Sequence, residues 1–273
     1  MTLALSEELL APLRRDPAHA ALLLDIDGTL APIADHAADA HVPEPTRRLL
    51  IAAARRFGLV GCISGRRASE ARAMVSIGSI NYVGSHGAEL LRAGRTQAVL
   101  DPAVAAWMDT IRAFGRQADT AQARRARLRM EDKGAIVAFH WRGAPDEAAA
   151  LSHAREIARS AQEAGLATYW GRKVLEVRPP VRIDKGEGVA RLLDECGAEI
   201  RAAMYIGDDT TDLDAFAALD RLVADGRLAE ALRVGVRSDE SPSELAARAD
   251  LVVDGPDGVR ALLARLADGS ADE

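Results

Sequence analysis

Asp25 and Asp27 stand two residues apart where the apolar run Leu22–Leu24 ends, in the stretch "LLLDIDGTLAPI". If that run is a strand buried on both faces, the two carboxylates point together into the crevice at its carboxyl end, while Ile26 points away. Carboxylates this close repel, and a hard divalent cation with oxygen ligands relieves the repulsion. Mg2+ suits the task best, because it takes one or two carboxylates together with waters and substrate phosphate. Gly28 lets the backbone turn sharply, and Thr29 can bond back into the loop.

Three later segments share this design. "CISGRR" closes another apolar run with Ser64, Gly65 and Arg66, where a hydroxyl and backbone N–H groups suit a phosphate oxygen. "DKGEGVARLL" sets Lys185 just before a helical pattern, as a point cation able to meet both a phosphoryl group and an aspartate. "YIGDDTTDLDAF" again ends an apolar strand in acids, Asp208, Asp209 and Asp212. Each segment alone also reads as a turn, a surface lysine or an acidic helix start. All four in this order are hard to reconcile with coincidence.

These residues resemble the four motifs of the haloacid dehalogenase-type phosphotransferases: DxDGT at 25–29, Ser64, Lys185, and GDDxxD at 207–212. The resemblance implies that Asp25 attacks phosphorus and forms an aspartyl-phosphate, and that Asp27 protonates the leaving alcohol and then activates water. It further implies Mg2+ held by Asp25, the backbone carbonyl of Asp27 and Asp208, with Asp209 and Asp212 in support. Ser64 and Lys185 would hold the phosphoryl oxygens, with Gly65 and Arg66 beside them.

The chain is similar, more narrowly, to the trehalose-6-phosphate phosphatase family. "LDIDGTLAPI", "YVGSHGAEL", "EDKGAIVAFHWR", "GRKVLEVRP" with the following "DKG", and "GDDTTDLDAF" carry this likeness, the last departing from it with Leu213 where an acid is usual. It implies Mg2+-dependent hydrolysis of trehalose 6-phosphate, the last step of trehalose biosynthesis. Lys133, His140, Arg142 and Glu176 become candidates for contacting the sugar or its phosphate, as do His86 and Glu89. In "AIVAFHWR", alternation puts His140 and Arg142 opposite Val137 and Phe139, which a merely solvated face would also satisfy. The rival readings are a related sugar-phosphate phosphatase, a phosphosugar mutase, or a catalytically silent sugar-phosphate sensor.

Positioning these residues requires a sheet whose strand ends converge. Short apolar runs alternate with helical-period segments up to about residue 100, which predicts βαβ units and a mostly parallel, doubly wound α/β core. From Asp101 the order becomes helix (101–121), strand pair, helix (145–164), strand pair, the pattern of an inserted α+β cap expected to close over the site. Pro179 and Pro180 mark the return crossing. The expected domains are therefore 1–101 with 181–273 as the catalytic core and 102–180 as the cap.

Composition narrows the partners. The 273 residues carry a net charge of −6, which favours neither nucleic acid nor an anionic membrane, so positive groups for an anionic substrate must be placed locally. Lysine occurs only at Lys133, Lys173 and Lys185, and arginine supplies the other basic residues. Cys62 and Cys196 lack the spacing of a zinc site or a disulfide scaffold. With no charged-then-apolar leader and no membrane-length run, a cytoplasmic, monomeric enzyme acting on a small sugar phosphate is expected. No G-x-G-x-x-G follows the first strand, which argues against a dinucleotide-binding dehydrogenase.

Overall fold

The computed structural model describes residues 3–33, 40–195, 199–238 and 241–267, so Cys196 lies outside the described residues. Contacts divide the chain into two compact units, Met1–Val99 with Ile183–Glu273, and Leu100–Arg182.

The first unit begins with α1 (Leu3–Arg15) and β1 (Ala20–Leu24), then α2 (Glu44–Arg56), β2 (Leu59–Ile63), α3 (Ala68–Val75), β3 (Asn81–Gly84), β4 (Glu89–Leu91) and β5 (Val99–Leu100). The second unit holds α4 (Pro102–Ala105), α5 (Met108–Ala118), α6 (Ala121–Arg125), β6 (Arg129–Asp132), β7 (Val137–His140), α7 (Glu147–Glu163), β8 (Ala167–Gly171) and β9 (Val174–Arg178). The chain then returns with α8 (Lys185–Glu195), β10 (Ala202–Gly207), α9 (Asp212–Ala224), β11 (Glu230–Arg237), α10 (Ser243–Arg248), β12 (Leu251–Asp254) and α11 (Gly255–Ala267).

The core sheet runs β12-β11-β10-β1-β2-β3-β4-β5. It is parallel from β12 to β3, and β4 turns back antiparallel against β3. β1 shows why: "AALLL" has no polar face, and all five residues are fully buried. Ala20, Leu22 and Leu24 enter one apolar layer with Leu10 and Leu13 of α1, Leu50 of α2 and Leu262 of α11. Ala21 and Leu23 enter the opposite layer with Leu192 of α8 and Phe216 of α9. Helices on both faces are what a two-sided apolar strand demands. The chain winds outward from β1 through β2 and β3, and later from β10 through β11 and β12 in the other direction. The reversal of strand order therefore falls between β1 and β10, where such sheets open a crevice at their carboxyl ends. The expected doubly wound α/β architecture is the observed one.

The inserted unit is an antiparallel sheet, β6-β7-β9-β8. Val137 and Phe139 of β7 and Leu175 and Val177 of β9 pack with Ile111 of α5 and Ala150, Ala154 and Ile157 of α7. One expectation fails here. The single helix expected over 101–121 is two, α4 and α5, and a third, α6, starts at its far end, where the Thr120 hydroxyl accepts from the amide of Ala123 at 3.1 Å. A side chain that caps draws the backbone out of the preceding helix. No helix among the described residues is long and apolar enough to cross a membrane.

Candidate active site

Three strand ends and one helix start supply the site. Asp25 follows β1, and its amide donates to the carbonyl of Ile206 in β10 at 2.8 Å, so the sheet ladder extends one rung into the acidic loop. Asp208 follows β10, Ser64 follows β2, and Lys185 is the first residue of α8.

Lys185 Nζ donates to Asp25 Oδ1 at 2.8 Å and to Asp212 Oδ1 at 2.6 Å, with every partner buried. Asp212 accepts from three more donors: the Tyr205 hydroxyl at 2.6 Å and the amides of Asp208 and Asp209, both at 2.9 Å. Its two oxygens are thereby committed to shaping the loop after β10. Gly207 is required by the same arrangement, since a Cβ there would lie 2.2 Å from the carboxyl carbon of Asp212.

The two acidic loops interlock. Thr29 Oγ1 donates to Asp208 Oδ1 at 2.9 Å, and Gly28, at φ +83°, brings its backbone so close that a Cβ would lie 2.1 Å from Asp208 Oδ2. Only glycine meets both demands.

Carboxylate oxygens of Asp25, Asp208 and Asp212 lie within 4.8 Å of one another. Three buried carboxylates against one buried ammonium leave negative charge uncompensated. Burial pushes the Asp25 carboxyl well above the usual carboxylate range; Lys185 opposes this, and Asp212 and Asp208 add to it. Asp208 is pushed up to about 6, by burial first and then by Asp212, with the Thr29 hydrogen bond in opposition. Burial alone would lower the Lys185 pKa, but Asp212 and Asp25 together raise it, so the ammonium stays charged. Oδ2 of Asp25 and Oδ2 of Asp208 accept no hydrogen bond from the described residues. Two free carboxylate oxygens in a site of excess negative charge fit a hard divalent cation.

The remaining expected residues fall into two groups. Asp27 is half-buried, and Arg66 grips it through two bonds, Nε to Oδ2 at 2.7 Å and Nη2 to Oδ1 at 2.6 Å. Ser64 is buried, its hydroxyl accepting from the Arg66 amide at 3.1 Å. His86, in the left-handed region at φ +58°, lies over Gly65, where a Cβ would be 2.7 Å from its ring. Glu89 turns to the Ala68 amide at 2.9 Å and so satisfies the first turn of α3. Asp209 is exposed and accepts from the Thr210 amide at 2.7 Å, outside the buried acidic group.

Within the inserted unit, Lys133 Nζ donates to Glu176 Oε1 at 3.2 Å, and Arg178 Nε donates to Glu176 Oε2 at 3.0 Å. The Arg178 guanidinium stands 4.6 Å above the Tyr169 ring. His140 Nε2 pairs with Glu131 at 2.7 Å, and Arg142 is exposed. Sequence reading missed Arg178, Tyr169 and Tyr205. Arg178 could have been found, because it stands two residues from Glu176 on one strand and so shares its face. Tyr205 left a fainter trace, as the one hydroxyl in the buried run "AAMYIG".

The comparisons with known proteins agree with this geometry. The family model described as trehalose-phosphatase matches residues 23–256. A "probable trehalose-phosphate phosphatase" of Sinorhizobium fredii is 34% identical over 220 residues, covering 80% of this chain and 81% of that one. A "trehalose-phosphate phosphatase" of Mycobacterium avium is 33% identical over 208 residues, and there the match spans 74% of this chain but only 51% of the relative. The crystal structure of a trehalose-6-phosphate phosphatase related protein superposes with a TM-score of 0.67 at 25% identity, over 90% of this chain and 96% of that one. The C-terminal domain of the Candida albicans trehalose-6-phosphate phosphatase shares the fold at a TM-score of 0.72 and 22% identity, over 96% of each chain. With its acidic strand ends gathered at the sheet's point of reversal and this match along most of its length, the chain belongs to the trehalose-phosphatase family of phosphomonoester hydrolases.

Proposed function

We propose that this chain hydrolyses trehalose 6-phosphate to trehalose and inorganic phosphate through an aspartyl-phosphate. The observation that carries the reading is the Asp25 carboxylate, buried at a strand end with Lys185 on one oxygen and the other facing the acidic crevice. An Asp25 carboxylate oxygen would attack phosphorus in line with the bond to the sugar oxygen, which breaks as the aspartyl-phosphate forms. Asp27 would give its proton to the departing alcohol, then take one from the water that attacks phosphorus and restores Asp25. Arg66 would hold Asp27 in position through its two bonds. Ser64, the backbone around Gly65, and Lys185 would bind phosphoryl oxygens. Asp25 and Asp208, with the Asp27 carbonyl, would hold Mg2+, which supplies charge neutralisation between the anionic nucleophile and the anionic ester. Lys133 and Glu176, with Arg178 and Tyr169, offer the donors, acceptor and ring face that suit sugar hydroxyls. His86, whose ring lies over Gly65, would meet the ligand there.

The test is phosphate release from a panel of sugar phosphates, with and without chelator. Trehalose 6-phosphate should be turned over fastest, and the chelator should abolish turnover. Faster release from another sugar phosphate would refute the substrate and keep the chemistry, whereas full activity of Asp25→Asn would refute the mechanism.

A further inference from the structure

β10 is buried along its whole length, and Tyr205 carries its one hydroxyl. Met204 and Ile206 enter the apolar layer shared with α1, α2 and α11, whereas Tyr205 enters the opposite layer, with residues of α8 and α9. Its ring has no exposed surface, meets the Phe216 ring edge-on at 6.1 Å and stands in register with Leu23 of β1. From this apolar seat the hydroxyl donates to Oδ1 of Asp212, the first residue of α9, at 2.6 Å. Lys185, the first residue of α8, donates to that same oxygen at 2.6 Å.

Neither burial nor charge balance requires that hydroxyl. Phenylalanine would fill the same seat, and Asp212 would still have an ammonium on Oδ1 and the amides of Asp208 and Asp209 on Oδ2. What the hydroxyl alters is how Lys185 is shared. An ammonium has three N–H donors. One goes to Asp25 Oδ1 at 2.8 Å and one to Asp212 Oδ1, which leaves the third for a phosphoryl oxygen. A phenol dipole aimed at Asp212 Oδ1 offsets part of the charge on that oxygen, and in a desolvated site water does not screen the offset. Asp212 then pulls the ammonium less hard, and Asp25 keeps its share. Without the phenol, Lys185 would be drawn towards Asp212 and away from Asp25 and the phosphoryl oxygen.

We propose that Tyr205 is a positioning residue for the reaction: through Asp212 it holds the Lys185 ammonium between the Asp25 carboxylate and the phosphoryl group. The inference rests on the roles proposed above for Asp25 and Lys185 and needs no particular sugar. Tyr82 of β3 is the internal control. Its ring is also fully buried, but in the layer of α1 and α2, and its hydroxyl donates to the carbonyl of Ile77 at 2.6 Å. Each phenol makes one buried hydrogen bond of the same length, and only that of Tyr205 falls on a partner of Lys185.

Because lysine occurs only at Lys133, Lys173 and Lys185, the ammonium can be watched directly. In the full chain grown on isotope-labelled lysine, Lys133→Arg and Lys173→Arg assign the remaining side-chain resonance to Lys185. Tyr205→Phe should move that resonance and lower kcat for trehalose 6-phosphate about tenfold, since a small displacement of a positioned group is costly. Tyr82→Phe should lower the melting temperature by a similar step, as each variant loses one buried hydrogen bond, while the Lys185 resonance and kcat stay at their wild-type values. An unmoved Lys185 resonance in Tyr205→Phe overturns the proposal, as does an unchanged kcat or an equal fall of kcat in Tyr82→Phe. Should the wild type release no phosphate from the ester, the proposed reaction fails, and the resonance alone then decides whether Tyr205 governs Lys185.

Discussion

Lys185 and Lys133 both bond to carboxylates, yet their surroundings are opposite. Lys185 is 3% exposed and bridges Asp25 and Asp212, in the fully desolvated end of the parallel sheet. Lys133 keeps 20% of its side chain exposed and shares Glu176 with Arg178 on an antiparallel sheet. Removing a buried partner strands its mates without water, whereas a partner at the surface is replaced by solvent or by a neighbour. The core thus ties its chemistry to its stability. The inserted unit carries its charged cluster at little structural cost.

Four measurements would break or sharpen this contrast. Asp25→Asn removes the proposed nucleophile while preserving shape, so phosphate release should fall by roughly four orders of magnitude or more while the melting curve stays native-like. Lys185→Met strands two buried carboxylates and should destabilise the chain by about 3–5 kcal/mol in urea unfolding. The deficit should shrink in acid, because Asp25, already raised by burial, then takes a proton.

Mg2+ should stabilise less than that, by about 2.7 kcal/mol at a hundredfold excess over its Kd, or roughly 5 °C in melting temperature. Its sign with pH follows from Asp208, whose carboxyl is raised from 3.8 to about 6 by burial and Asp212. The folded state holds that proton more tightly than the unfolded one, so the metal-free chain loses stability as pH climbs between those values. The cation competes with the same proton. Stabilisation by Mg2+ should therefore be larger at neutral pH than in mild acid, and a flat profile would separate Asp208 from the metal. The smallest effect is expected in the inserted unit. Lys133→Ala should cost under ~1 kcal/mol, because Arg178 still pairs Glu176, while KM for trehalose 6-phosphate rises about tenfold with kcat little changed.

Much of this was legible in the sequence, and the exceptions share a cause. Strands whose two faces are both apolar, such as β1, announce a covered parallel sheet, and acids closing β1 and β10 announce a crevice. These are local patterns of composition. Partnerships are different: Lys185 lies 160 residues from Asp25, and no spacing rule says that Asp212 would gather four donors and Asp209 none of them. The grip of Arg66 on Asp27 was hidden for the same reason, since it needs the ends of β1 and β2 side by side. The start of a new helix at the end of the expected 101–121 stretch was hidden because Thr120 reads as an ordinary helix residue until its hydroxyl is seen capping.

The last rung of the core ladder, from the Asp25 amide to the Ile206 carbonyl, has a consequence for motion. That peptide proton is buried between the two central strands and should exchange with deuterated solvent only when the whole unit opens. Under the proposed mechanism, a side chain remade at every turnover would thus hang from backbone that opens only with the whole unit.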